Sequence, residues 1–156
     1  KNKAGEYVIP DTVTDIKLTA GFEKNKKLTA LILNDKVTEF DVRKLEGCSA
    51  LEKIVLGASV KEVKMNFTKE YSLELDSLKE ISVSEKNDCY ASYGGALYSK
   101  DFTKLYFIPD AMDKLELNEN VEAIDERIGL DKNNYNEIIL PDTNKNFVVK
   151  NNVRFL

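Results

Sequence analysis

Short apolar runs separated by polar turns recur along the chain at a nearly constant spacing. The clearest copy lies at residues 51–56, where Leu51, Ile54 and Leu56 form an L-x-x-I-x-L pattern. Apolar and polar positions that alternate over so short a run predict a β-strand with one buried side. The copies of this pattern have their middle apolar positions at Tyr7, Leu31, Ile54, Ile81, Leu115 and Ile138.

The spacing of these copies indicates a repeat architecture. The steps from Leu31 to Ile54 (54 − 31 = 23) and from Leu115 to Ile138 (138 − 115 = 23) establish a basic period of 23 residues. Leucine-rich repeats have periods of about 20–29 residues, and their units stack because no single unit buries its own apolar edge. The predicted fold class is an α/β-type repeat solenoid, a leucine-rich-repeat right-handed superhelix of short parallel strands, turns and little helix. We expect one domain over residues 1–156, with about six repeats and a buried column of middle positions.

A second element follows each predicted strand at a fixed phase. It begins four residues after the last apolar position, as in Val37-Thr-Glu-Phe40 and Val60-Lys-Glu-Val63. Two apolar positions separated by two polar residues predict a short segment with one buried edge. Because the same pattern recurs at Val13 and Val121, we expect it to belong to the repeat.

One repeat carries an insertion. The step from Ile81 to Leu115 is 115 − 81 = 34 residues, which exceeds the period by 34 − 23 = 11. The extra residues, at about 87–109, contain apolar runs on both sides of the polar segment 99–104, and this arrangement predicts a β-hairpin. Residues 147–156 resemble the start of another such hairpin or a terminal cap.

The sequence of one unit resembles a particular repeat family. Residues 37–54, VTEFDVRKLEGCSALEKI, are similar to the repeat unit of BspA-like (Treponema pallidum-type) leucine-rich repeats, with Lys44-Leu45 in place of its Ala-Phe. The residues Asn87-Asp-Cys-Tyr90 and 95–101 resemble a hairpin insertion of the same family. The resemblance implies a cell-surface or secreted protein of a host-associated microbe, often one that acts in adhesion. It implies no catalytic residue.

Ordinary leucine-rich repeats carry an asparagine or cysteine three residues after the third apolar position. Because this chain has varied residues there, we expect no asparagine ladder. Those positions hold Lys36, Ser59, Lys86, Asn120 and Thr143.

Composition narrows the function further. The net charge of −4 argues against a nucleic-acid or anionic-membrane partner, since both require a basic surface. The chain has no histidine, which excludes Ser–His and Cys–His nucleophiles and histidine-based zinc sites within it. Its two cysteines do not make a disulfide framework, and no apolar run reaches the roughly 18 residues of a membrane-spanning helix. We therefore expect no enzyme activity, no cofactor and no membrane insertion.

Two surfaces are candidate binding sites for an unidentified protein or glycan. On the concave face, the predicted positions Val8, Ile32 and Val55 would form an apolar stripe, although β-branched residues also favour strands for their own sake. On the hairpin, we expect Leu97, Leu105 and Phe107 to face inward. The alternative is that alternate residues simply pack the hairpin onto its neighbours. The full candidate sets are Val8, Ile32, Val55, Ser82, Glu116 and Ile139 on the concave face, and Tyr98, Phe102 and Tyr106 outward on the hairpin.

The leading hypothesis is a non-catalytic interaction module at the cell surface or in the extracellular space. A structural spacer with no ligand of its own is the alternative. An enzyme that uses paired carboxylates is the weakest hypothesis, because acid–base carboxylates need a cleft that a solenoid sheet does not suggest.

Overall fold

The protein is a β-solenoid of about five turns with almost no helix. The computed structural model describes residues 3–14, 22–65, 75–125, 128, 137–150 and 153–155. Within these residues the helical content is one 3₁₀ helix, Val42–Leu45, so the predicted repeat solenoid of short strands with little helix is confirmed. The strands are β1 (Gly5–Val8), β2 (Leu28–Ile32), β3 (Glu39–Asp41), β4 (Lys53–Leu56), β5 (Glu62–Lys64), β6 (Glu80–Val83), β7 (Tyr90–Tyr93), β8 (Ala96–Ser99), β9 (Lys104–Phe107), β10 (Lys114–Glu116), β11 (Ala123–Ile124), β12 (Glu137–Ile139), β13 (Val148–Lys150) and β14 (Val153–Phe155).

The first strand of each repeat builds the main parallel sheet. Strands β1, β2, β4 and β6 pair in that order, and β10 pairs separately with β12. The register places Leu31 opposite Ile54 and Ile54 opposite Ile81, as the 23-residue period predicts. These middle positions, from Leu31 through Leu115, are at most 2% exposed, and Ile138 is 8% exposed. Burial of each such side chain contributes roughly 1.5–3 kcal/mol relative to leaving it in water.

The second element of the repeat forms a second, smaller sheet. Strands β3 and β5 are parallel, with Phe40 opposite Val63. The valine that opens each element is fully buried at positions 37, 60 and 121. The 3₁₀ helix follows β3, and the carboxylate of Asp41 caps it by accepting a hydrogen bond from the Arg43 amide. The prediction of a second buried edge in each repeat is confirmed at these positions.

The insertion contains more than the predicted hairpin. Strands β8 and β9 do form an antiparallel pair, but β7 pairs with β8 on its other side. Strand β9 also pairs in parallel with β11 of the next turn. The insertion therefore adds β7 and β8 to β9 in a three-stranded antiparallel unit, and β9 pairs with β11 in a sheet separate from β3 and β5.

Hydrogen bonds identify the residue at which the repeat resumes. Thr103 accepts from the amides of Glu122 and Ala123 through its carbonyl, as Thr38 does from the two amides of residues 61 and 62. Thr103 thus takes the place of Thr38, and Asn87 takes the place of the preceding valine. The inserted residues are 88–102, which number 102 − 88 + 1 = 15, and the following loop is four residues shorter than usual, so the net excess is 15 − 4 = 11.

The insertion separates two hydrophobic cores. The first core runs from Ile9 to Ile81 and includes Leu97, whereas the second contains Ala96, Tyr98 and the buried residues beyond them. Because successive residues of β8 point to opposite sides, this strand contributes to both cores.

Several buried asparagines connect successive turns. The amide group of Asn87 donates to the carbonyls of Gly57 and Val60 at 2.9 Å each, and Asn144 makes the equivalent pair of bonds to Glu119 and Val121. These asparagines occupy other positions of the repeat than the ones compared in the sequence. The buried asparagines are Asn25, Asn34, Asn87, Asn118 and Asn144.

A second hairpin lies near the end of the described chain, as one of the two sequence alternatives predicted. Strands β13 and β14 are antiparallel, with Val148 opposite Phe155. In β7 and β8 the corresponding pair is Ala91 and Tyr98. The two residues of the second pair lie the same number of positions after those of the first, 148 − 91 = 57 and 155 − 98 = 57. The strands of the two hairpins are therefore paired in the same register.

Candidate interaction surface

Three predicted residues form a contiguous apolar row on the outer face of the main sheet. Val8 lies opposite Ile32 and Ile32 lies opposite Val55 in the parallel register. Val8 is 53% exposed and the other two are half-buried. Adjacent strands in a sheet are about 4.8 Å apart, so the register places the three residues side by side across neighbouring strands. We call Val8, Ile32 and Val55 the apolar row.

The predicted concave surface is not continuous beyond Ser82. Ser82 follows Val55 in register, and Glu116 and Ile139 are paired with each other, but β6 does not pair with β10. The turn of the insertion lies between those strands, where the Ile81 amide donates to the Gly95 carbonyl at 2.8 Å. The six predicted positions therefore form one group of four and one group of two.

Gly94 allows the turn to fit between the strands. Its φ is +56°, and a Cβ atom built on it would lie 3.0 Å from the Glu116 carbonyl oxygen. A larger residue at this position would be strained in the backbone and crowded by β10. The division of the surface thus depends on glycine at the turn.

A charged row, formed by Lys53 and Glu80 in register on β4 and β6, lies beside the apolar row. The Lys53 ammonium lies 3.1 Å from a carboxylate oxygen of Glu80. The hydrogen bond from the Ser82 hydroxyl and, to a smaller extent, the interaction with Lys53 lower the pKa of Glu80, although its partial burial acts in the opposite direction. These two charges are paired with each other, whereas the side chains of the apolar row remain partly exposed to solvent.

In the group of two, formed by Glu116 and Ile139, a tyrosine from the insertion is hydrogen-bonded to the carboxylate. The Tyr93 hydroxyl donates to Glu116 at 2.9 Å, and this bond to a negative acceptor raises the pKa of Tyr93. Tyr93 comes from the insertion, and sequence reasoning did not place it beside Glu116. The only sequence signal that could have indicated it is its position directly before the Gly94-Gly95 turn.

The prediction for the outward residues of the hairpin is wrong for Tyr98. This side chain is fully buried in the second core, and burial raises the pKa of its phenol to about 12. Phe102 and Tyr106 are half-buried and pack on the second and first core, respectively. The inward prediction is correct for Leu97 and Leu105, which are fully buried, whereas Phe107 is half-buried.

These outcomes share one cause. Each face of the inserted sheet is covered by a different core, so the alternation of side chains does not separate an inner face from an outer one. The aromatic residues of the insertion pack onto the two cores and do not form a projecting aromatic surface.

The described residues offer little chemistry. Among them, no group of three or more cysteine, aspartate or glutamate side chains is arranged to hold a metal ion. Cys48 is buried beside the Phe22 carbonyl, and burial raises the pKa of its thiol, while Cys89 is exposed and unpaired. Within the same part of the chain, no helix is long and apolar enough to cross a membrane.

Two solved structures are similar to parts of this chain. No protein-family model matches it, and no curated protein sequence matches it. It is similar to the crystal structure of a leucine-rich repeat protein from Eubacterium ventriosum, with 24% identity, a TM-score of 0.48, and coverage of 76% of this chain and 37% of that one. It is also similar to the pneumococcal vaccine antigen PcpA, with 18% identity, a TM-score of 0.30, and coverage of 91% of this chain and 62% of that one. The chain therefore spans less than two thirds of the length of either structure.

Proposed function

We propose that this chain is a non-catalytic interaction module that binds a protein through its apolar row. The observation that supports the proposal is the in-register alignment of Val8, Ile32 and Val55 on an outer face of the main sheet. Contiguous exposed apolar side chains mark interaction sites, and the backbone of a paired sheet holds them rigidly, so little entropy is lost on binding. The sequence resemblance to BspA-like repeats extends the proposal to adhesion to a host or matrix protein at a cell surface or in a secreted state.

A protein ligand agrees with this row better than a glycan does. The row is aliphatic, and sugar rings are usually held by stacking on aromatic side chains together with several polar groups. Tyr7, the aromatic residue on β1 next to the row, is half-buried and packs against Phe22 in the first core. The charged row beside it supplies a polar rim of the kind found around apolar interface centres.

The alternative function is a structural spacer without a ligand. Ion pairs between turns, such as Lys53–Glu80 and Lys79–Glu52, favour it because they satisfy surface charges within the solenoid. Exposed ion pairs contribute little stability and are common on many surfaces. They therefore support a spacer less strongly than the apolar row supports binding.

The test is a binding screen against immobilised matrix proteins and a glycan array. The Ile32→Lys/Val55→Lys variant places two charges in the row and should weaken binding to a matrix protein by at least about tenfold, as expected when interface-centre residues are lost. The control variant Thr38→Lys/Ser59→Lys adds the same charge away from the main sheet and should bind like the unmodified protein. Circular dichroism verifies that all three proteins are folded.

The outcomes separate the hypotheses. Saturable binding that only the row variant loses supports the interaction module. Equal loss in both variants would indicate a nonspecific charge effect and remove the row from consideration. Binding to glycans alone would contradict the protein-ligand proposal, and no binding by any of the proteins would favour the spacer.

A further inference from the structure

We infer that residues 88–102 act as an internal cap that divides the solenoid into two cooperative units. The first unit contains β1–β6 and the first core. The second contains β9–β12 and the second core, and β7 and β8 form the wall between them. This inference concerns the conformational behaviour of the molecule and does not depend on the proposed function.

The main evidence is that the insertion closes the open edges of the first unit. In the main sheet, the outward amides of β6 are those of Ile81 and Val83. The first donates to the Gly95 carbonyl at 2.8 Å and the second to the Ser92 hydroxyl at 3.1 Å. An uninterrupted solenoid would instead direct these amides to the next parallel strand.

The second sheet is closed in a similar way. The amide of Val63 on β5 donates to the Tyr90 hydroxyl at 3.2 Å. The ring of Tyr90 packs against the first core and lies edge-on to Tyr106, with 5.8 Å between the ring centroids. A side chain from the insertion therefore ends this sheet where a further strand would otherwise extend it.

The side chains of β8, one of the two strands of the wall, are divided between the two cores. Leu97 belongs to the first core, while its neighbours Ala96 and Tyr98 belong to the second. In repeat proteins, stability is the sum of terms within repeats and terms between neighbours. Here the direct β6–β10 strand pairing is absent, so at this face the coupling between the units passes through the inserted sheet and through one backbone hydrogen bond, from the Ala111 amide to the Leu78 carbonyl at 2.9 Å.

Amide hydrogen exchange of the full chain, followed by NMR, tests the inference with a matched pair of variants. Ile54→Val and Ile138→Val each remove one methylene group from the same column position, one in each core. If the units open separately, Ile54→Val should accelerate exchange about fivefold at the protected amides of β2 and β4 and less than about twofold at those of β10 and β12. Ile138→Val should show the reverse pattern. Equal acceleration at all these amides in either variant would overturn the inference, since it would indicate one cooperative unit.

A second pair of variants tests the cap itself. Tyr90→Phe removes the hydroxyl that accepts from Val63, and Tyr106→Phe removes a neighbouring hydroxyl that has no hydrogen bond among the described residues. We expect faster exchange at the Val63 amide in the first variant and no change there in the second. An unchanged Val63 amide in Tyr90→Phe would show that the hydroxyl does not close this edge, and would contradict the capping role.

Discussion

Gly57 shows how closely consecutive turns approach one another. It follows the last apolar residue of its strand and is buried. A Cβ atom built on it would lie only 2.1 Å from the Asn34 carbonyl oxygen of the preceding turn. The space at this position, and not an unusual φ, therefore requires glycine.

We predict that Gly57→Ala lowers the free energy of unfolding by about 3 kcal/mol, because the backbone of residue 34 must move to admit the methyl group. Gly5→Ala is the matched control: Gly5 has a φ of +71° but no atom within 4 Å of a built Cβ. Its cost should be about 1 kcal/mol, from backbone strain alone. Urea unfolding measures both values. A Gly57→Ala cost no larger than that of the control would show that the turns can separate easily.

Tyr98 supports a prediction about pH. Burial of the phenol raises its pKa to about 12 from the ordinary value of 10.0. The folded state therefore favours the neutral form. The resulting stability is complete below about pH 10 and is lost as the pH rises toward 12.

The expected loss is roughly 2–3 kcal/mol, the free-energy equivalent of the shift. Urea unfolding of the unmodified protein and of Tyr98→Phe at several pH values between about 9 and 12 should show it. The unmodified protein should lose more stability over this range than the variant, which has no phenol at this position. Parallel pH profiles for the two proteins would contradict the assignment to Tyr98.

At the scale of elements, an asparagine marks the start of each inserted hairpin. Asn87 and Asn144 both lie four residues after the last apolar residue of their strands, where three other repeats have a buried valine (83 + 4 = 87 and 140 + 4 = 144). The Oδ1 atom of Asn87 accepts from the amides of Cys89 and Tyr90. The side chain thus bonds the preceding turn on one side and the first residues of the insertion on the other.

We predict that Asn87→Val destabilises the protein by about 2–4 kcal/mol, even though valine is the usual residue of the repeat at this position. The substitution leaves two buried carbonyls and two amides of the insertion without their partner. The control Asn120→Val changes an exposed asparagine and should alter stability by less than about 0.5 kcal/mol. Thermal and urea unfolding provide the comparison, and a neutral Asn87→Val would show that the valine packing of the repeat can replace the hydrogen bonds.

The insertion also shows what sequence patterns can reveal about an element. Its position and its β8–β9 hairpin were predictable, because apolar runs flank a polar turn. The third strand, β7, was not predicted, because Tyr90-Ala-Ser-Tyr93 has no clear alternation of apolar and polar residues. Its side chains face two cores, so both sides are apolar in part and the usual period-2 signal is weak.

At the scale of the molecule, the repeat and the division of its core have different origins. The repeat produces one stacked column of middle positions, whose buried side chains run from Leu31 to Ile138. The insertion interrupts the strand pairing between Ile81 and Leu115 without interrupting the burial of either. The predicted concave surface is affected more than the core, because the apolar row and the Tyr93–Glu116 pair lie on different sides of this interruption.

The sequence by itself determined the period, the buried column, the second element of each repeat and the place of the insertion. These features are local patterns that recur at 23-residue intervals, so each copy reinforces the others. Only the tertiary structure decided that Tyr98 is buried, that buried asparagines join the turns and that the predicted concave face is divided. These outcomes depend on which surfaces the inserted strands meet. A segment inserted between two repeats is covered on both sides, so its own alternation of apolar and polar residues does not indicate which side chains are buried.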